Sequence, residues 1–162
     1  MISRALAPVT LGLALALAAA APARGQQLPL PYGPNVGLDQ AKALAAAAVA
    51  EARKHNWTIV VAIVDTGGHP GFPRGVGHPP VASVDVATRK AWAANGLKQP
   101  TKDFEDAAQG GRVVTLSLPG VVPIEGGLPI VVDGKIVGAI GISGATSAQD
   151  GQAAAAALAA LK

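Results

Sequence analysis

The sequence predicts an α+β domain: an antiparallel sheet of about five strands flanked by helices, in the order α-β-β-α-α-β-β-β-α. Three observations predict it. Two apolar runs, Leu128–Val132 and Ile136–Ile142, flank Asp133-Gly134, a two-residue loop that favours a type I′ turn and hence a hairpin. Thr58–Val64 is an almost unbroken β-branched run closed by a turn sequence, Asp65-Thr66-Gly67-Gly68. Alanine-rich stretches at helical spacing separate and follow these runs, and short connections favour antiparallel neighbours.

Residues 1–25 read as a secretory signal peptide. Arg4 supplies the positive start, Val9–Ala21 the apolar stretch, and Ala21-Pro22-Ala23 a small-x-small cleavage site. That stretch is short of the roughly 20 residues a membrane span needs, so no stable membrane insertion is expected after cleavage. The mature chain is therefore expected in the periplasm or outside the cell. Residues 26–36 form a Pro-rich extended arm, with three prolines and no apolar period, whose Tyr32 packs on the body or serves a partner subunit. Residues 37–162 make one domain, enough chain for a real core.

The first helix is expected over 38–55. Leu38, Ala41, Leu44, Ala45, Ala48 and Ala52 form its apolar stripe, Gly37 is a weak cap, and His55 falls at the exposed carbonyl end. The buried strand 58–64 follows. Where it emerges, His69 is either a ligand contact or a solvated residue behind a turn capped by Asp65. A second strand near 70–74 carries two prolines, which suits an edge. His78 lies in the loop Gly75–Pro80, before a helix from Val81 to about Gly96 with Val84, Ala87, Ala91 and Ala94 inward. Arg89 and Lys90 flank that stripe, as a solvated face or with one base over a cleft edge. Thr101 reads as the N-cap of a short helix that Gly110-Gly111 ends. Three β segments, 121–124, 128–132 and 136–143, come next, the last two covered on both faces because they show little polar alternation. Thr146…Gln149 offers a capping box for the closing alanine helix, expected to lie on Gly138 and Gly141.

Composition removes several chemistries. Formal charge is +3, and cleavage after Ala23, which removes Arg4, leaves 12 Lys+Arg against 10 Asp+Glu. With no basic run and 3% aromatic residues, nucleic-acid binding has no footprint. Zero cysteines exclude disulfides and thiolate metal sites. Gly138, Gly141 and Gly144 miss the dinucleotide spacing, and no histidine follows Ser143 to complete a hydrolase triad. The three histidines, at 55, 69 and 78, are too loosely spaced for a zinc site, whereas a single histidine can ligate haem iron.

The pieces LDQAKALAAAAVAEA, VVAIVDTGGHPGFPR, SVDVATRKAWAA, QPTKDFE and GVVPIEGGLPIVVDGKIVGAIGISGATSAQD occur in this order before a final alanine helix. Together they resemble the GlcG/HbpS family, itself related to the C-terminal domain of corrinoid adenosyltransferases. The resemblance runs from Leu38 to Leu158 and implies an antiparallel sheet flanked by helices, assembled as a homo-oligomer. Several members bind haem and some are described as haem-degrading. The segment VDTGGH corresponds to Asp65, Gly67, Gly68 and His69, and Arg74 matches the arginine of an R-M-D-G segment whose Met-Asp is here Gly75-Val76. The pattern K-A-x-T-A is met from Lys90 to Ala94, with Ala93 in place of threonine.

The leading expectation is an exported protein that, as the resemblance implies, binds haem and scavenges or degrades it. His69 is the first choice of iron ligand and His78 the second. Arg74 and Lys90 are expected to pair with propionates, near Gly126 and Gly127. A second expectation is a small hydrolase or isomerase acting on an anionic catabolite. In it Glu125 serves as acid or base, Arg74 and Lys90 hold a carboxylate, and the Gly126 and Gly127 amides face developing charge. Otherwise Glu125 is one exposed carboxylate in a turn. A third expectation is a non-catalytic oligomeric partner protein.

Overall fold

The computed structural model describes residues 29–161, so the predicted signal peptide lies outside the described residues. The chain folds as α1 (Leu38–Lys54), β1 (Ile59–Val64), β2 (Pro70–Val76), α2 (Ser83–Leu97), α3 (Thr101–Gln109), a 3-10 turn (Val113–Ser117), β3 (Gly127–Val132), β4 (Lys135–Ser143) and α4 (Ser147–Ala159). The sheet runs β2-β1-β4-β3, antiparallel throughout. The α+β class and the flanking helices are as expected. No helix among the described residues is long and apolar enough to cross a membrane.

Segment 121–124 is not a strand, so the ladder holds four strands. Two of its donors are taken by local turns, Val121 N–H by the Leu118 carbonyl and Ile124 N–H by the Val122 carbonyl, and Pro123 has none. The arm instead extends the sheet. Tyr32 forms a parallel bridge to Ile136, Ile136 N–H donates to the Pro31 carbonyl, and Gly33 N–H donates to the Ile136 carbonyl. At the hairpin, Asp133 and Gly134 take φ of 49° and 70°, as a type I′ turn requires. The second arm is buried along its length, but β3 is an edge strand with Val131 exposed, so the covering of both faces holds only for β4.

The two faces of the sheet differ in side-chain size. Ile59, Val61, Ile63, Ile130, Ile140 and Ile142 pack on the alanines of α1 and α4. The other face presents Val60, Ala62, Val64 and Ala139 to Ala87, Ala91 and Ala94 of α2. Small residues let α2 sit against the sheet backbone: a Cβ on Gly141 would lie 2.0 Å from the Ala87 carbonyl oxygen. The helix over Gly141 is therefore α2 and not the closing helix. Gly138 adjoins neither, since its Cβ would meet the Val64 carbonyl and Val36. Leu38 and Val84, expected in the buried stripes, are exposed in the first turns of their helices. The capping box at Thr146 and Gln149 forms in both directions.

Candidate functional site

Strand β1 delivers Asp65 to the end of the sheet, where the chain reverses. The Gly68 N–H donates to the Asp65 carbonyl at 3.0 Å, and the His69 N–H donates to Asp65 Oδ1 at 2.9 Å. Asp65 therefore caps the turn. The His69 imidazole stands out from it, with 82% of the side chain exposed. Its Nδ1 lies 3.4 Å from Asp65 Oδ2 and 3.3 Å from Oδ1. The His69 backbone N–H holds the Asp65 carboxyl below its usual value, against a smaller opposing effect of burial, and the imidazole adds to the lowering. An Nδ1–H directed at this carboxylate leaves Nε2 outward with its lone pair free, the arrangement common to metal-binding histidines.

Trp92 of α2 ties this turn to a cleft. A Cβ on Gly68 would sit 2.9 Å from the indole Cδ1, and one on Gly120 would sit 2.0 Å from Cζ3. The indole is thus gripped between the His69 turn and the segment after the 3-10 turn. With Arg89, Gly120, Val121 and Val122 it lines a half-open cleft of about 290 Å³. The Arg89 guanidinium reaches its rim and donates to Asp85 at 2.7 Å on the exposed side of α2. The walls are apolar, a guanidinium stands at the rim, and the turn that carries His69 abuts the indole through Gly68.

Of the sequence candidates, only His69 lies on a turn that abuts the Trp92 wall. His78 is exposed in the loop beyond the far end of β2, on the order of 20 Å from His69 by strand rise alone. One chain cannot bring both imidazoles to one iron. Arg74 is exposed and pairs across the ladder with Val61, which faces α1 and α4. Directly opposed residues share a face, so Arg74 leaves the sheet opposite to Trp92 and Arg89.

Lys90 is a correction. Its side chain is 1% exposed, and its ammonium donates to Asp150 Oδ2 and to the Ile142 carbonyl, both at 2.9 Å. It joins α2 to α4 internally and offers no charge to a ligand. Burial pushes the Asp150 carboxyl above its usual value, partly offset by the Lys90 hydrogen bond. The expected grouping at Glu125 also fails to assemble. The Gly127 amide donates to the Thr101 hydroxyl at 2.9 Å, so it cannot face developing charge, and Thr101 does not serve as a helix cap. The Gly126 carbonyl accepts from Ile142 N–H, and Gly126 and Gly127 are both buried. Glu125 has a side chain 23% exposed and a carboxylate 3.8 Å from Lys102, while its N–H donates to Glu105. Arg74 is not beside it, and the Lys90 ammonium, though packed against Gly126, is spent on Asp150 and Ile142.

Sequence reasoning missed Trp92 as a site residue and preferred Lys90 to Arg89. The available signal was position. Trp92 is one of two tryptophans, lies off the alanine stripe of its helix and falls three residues after Arg89, hence on one face with it. Among the described residues, no three His, Asp or Glu side chains converge as a metal cluster.

The profile of the family described as "Haem degrading protein HbpS-like" matches residues 36–159. Protein GlcG of Escherichia coli strain K12 is 41% identical over 94 residues, covering 57% of this chain and 69% of the relative. The crystal structure of a double variant of HbpS from Streptomyces reticuli superposes with a TM-score of 0.73 at 30% identity, over 89% of this chain and 99% of that one. A crystal structure of a PduOC–haem complex superposes with a TM-score of 0.72 at 30% identity, over 79% and 96% of the two chains.

Proposed function

The chain belongs to the HbpS-like family of haem-degrading proteins, and from that premise we propose that it binds haem at the Trp92 cleft with His69 as the iron ligand. The observation that carries this reading is the Asp65 carboxylate on Nδ1 of His69, which leaves Nε2 free on a turn that abuts Trp92, the wall of an apolar, arginine-rimmed cleft. The residues present fit such a group. Trp92, Val121 and Val122 supply a flat apolar wall, and Arg89 supplies a forked cation for a propionate. The cleft is near the low end of ligand-pocket sizes, so it seats one face of a planar ligand and leaves the other open.

Bound haem would supply the redox chemistry that breaks a porphyrin. The chain's own part is to hold the imidazole in one tautomer, to shield one face and to fix the propionate edge. Two finer elements complete the reading. The chain is exported by residues 1–25, and scavenges or degrades the haem it meets. It also self-associates, because Val113, Val114, Leu116, Leu118 and Ile124 leave apolar side chains exposed within one segment. Haemin titration followed at the Soret band tests the binding: saturation with a histidine-type spectrum is expected. An absorbance change no greater than that of haemin with an unrelated protein would overturn it. Loss of the Soret band under air with a reductant would distinguish degradation from simple binding.

A further inference from the structure

The turn that carries His69 is held from outside by the N-terminal arm. Thr66 stands between Asp65 and the two glycines, and its polar groups are engaged on both sides. Its N–H donates to Asn35 Oδ1 at 3.2 Å, and its hydroxyl donates to the same oxygen. Its carbonyl accepts from Asn95 Nδ2 at 3.0 Å. An amide oxygen has two lone pairs, so Asn35 can take both bonds at once.

Asn35 is itself fixed. The Val36 N–H donates to the Val137 carbonyl at 2.7 Å, and Gly33 N–H donates to the Ile136 carbonyl at 2.8 Å. The Tyr32 hydroxyl donates to the Asn95 carbonyl at 2.7 Å, and the Lys98 ammonium sits 4.2 Å from the centre of the Tyr32 ring. The arm is thus a strap whose last polar side chain grips the turn, while Asn95 of α2 grips it from below. Gly67 and Gly68 have no side chains with which to anchor the rest of it, and His69 is largely exposed.

We infer that Asn35 is a positioning residue for His69: through Thr66, the arm sets the turn that aims the imidazole. The inference rests on the haem reading and adds to it the part of the chain that makes the ligand ready before haem arrives. It also accounts for the arm, which the haem chemistry does not otherwise use.

The test compares Asn35→Ala with Asn35→Asp in the chain lacking only residues 1–25. Amide exchange of residues 66–69 is read by NMR, and haemin affinity by Soret titration. Asn35→Ala is expected to speed exchange in the turn about tenfold and to weaken haemin binding about fivefold, as the loss of a net hydrogen bond predicts. The Soret position should not move, because His69 remains the ligand. Asn35→Asp keeps both acceptor sites and should restore exchange and affinity to within about twofold of wild type. Unchanged exchange in Asn35→Ala overturns the clamp. Faster exchange with unchanged affinity overturns the positioning role, as does an Asp variant that loses as much as Ala. Wild type that takes up no haemin overturns the haem reading and the positioning role together, while exchange still decides the clamp.

Discussion

Lys90 and Asp150 put opposite charges in a nearly water-free space between α2 and α4. Removing one partner of such a pair is more damaging than removing both, because a lone buried charge keeps its full desolvation cost. Lys90→Met should destabilise the fold by about 3–5 kcal/mol, and Lys90→Met with Asp150→Leu should recover most of that in denaturant melts. The loss in the single variant should shrink as pH falls, since protonated Asp150 needs no counter-charge. Glu51 sets a different acid dependence at the α1–α4 seam. Its carboxylate accepts from Lys54 and Gln152 at 2.9 Å and contacts His55 at 3.2 Å. These bonds, Lys54 first, bring its carboxyl down from 4.5 to about 2. A depressed folded value contributes stability that is present above 4.5 and lost as pH falls toward about 2. The stability gap between wild type and Glu51→Gln should therefore close across that window in acid titrations, and a gap that stays constant would contradict the assignment.

Helix α2 is the element on which the site is built, and its depth depends on the sheet residues beneath it. Gly141→Ala would push a methyl into the Ala87 carbonyl, which is helix backbone and cannot rotate aside. A cost of about 1–3 kcal/mol is expected from overpacking, with Trp92 fluorescence reporting displacement of the cleft wall. Elements defined by local chemistry were legible in the sequence. Asp133-Gly134 dictated its turn, the β-branched run from Ile59 its strand, and Thr146 with Gln149 its cap. What escaped was long-range. Which helix covers Gly141 depends on a crossover that spacing does not encode. Lys90 looks like any helix-flanking base until Asp150, sixty residues on, meets it inside. Residues 121–124 have strand composition, but the Val121 and Ile124 amides are claimed by turns at Leu118 and Val122 and Pro123 has none. For the site, Asp65 and His69 could be read because strand, turn and imidazole are contiguous. Trp92 and Arg89 could not, because the cleft exists only once the segment around Gly120 closes over the indole.

At the scale of the whole molecule, a four-stranded sheet flanked by helices leaves five exposed apolar side chains on the segment from Val113 to Ile124, beside the cleft wall at Val121 and Val122. Self-association through these side chains should appear in light scattering at micromolar concentration, and Leu116→Glu should shift the protein toward monomer. A wild-type mass of one chain at high micromolar concentration would contradict it. The central claim is haem ligation by His69 against the Trp92 wall, and its most direct measurement is a Soret titration of His69→Ala, Trp92→Ala and His78→Ala beside wild type. The account predicts a shifted Soret maximum and an affinity on the order of a hundredfold weaker for His69→Ala. It predicts an unshifted maximum with weaker affinity for Trp92→Ala, and no change for His78→Ala. A His69→Ala variant with the wild-type spectrum and affinity would contradict it.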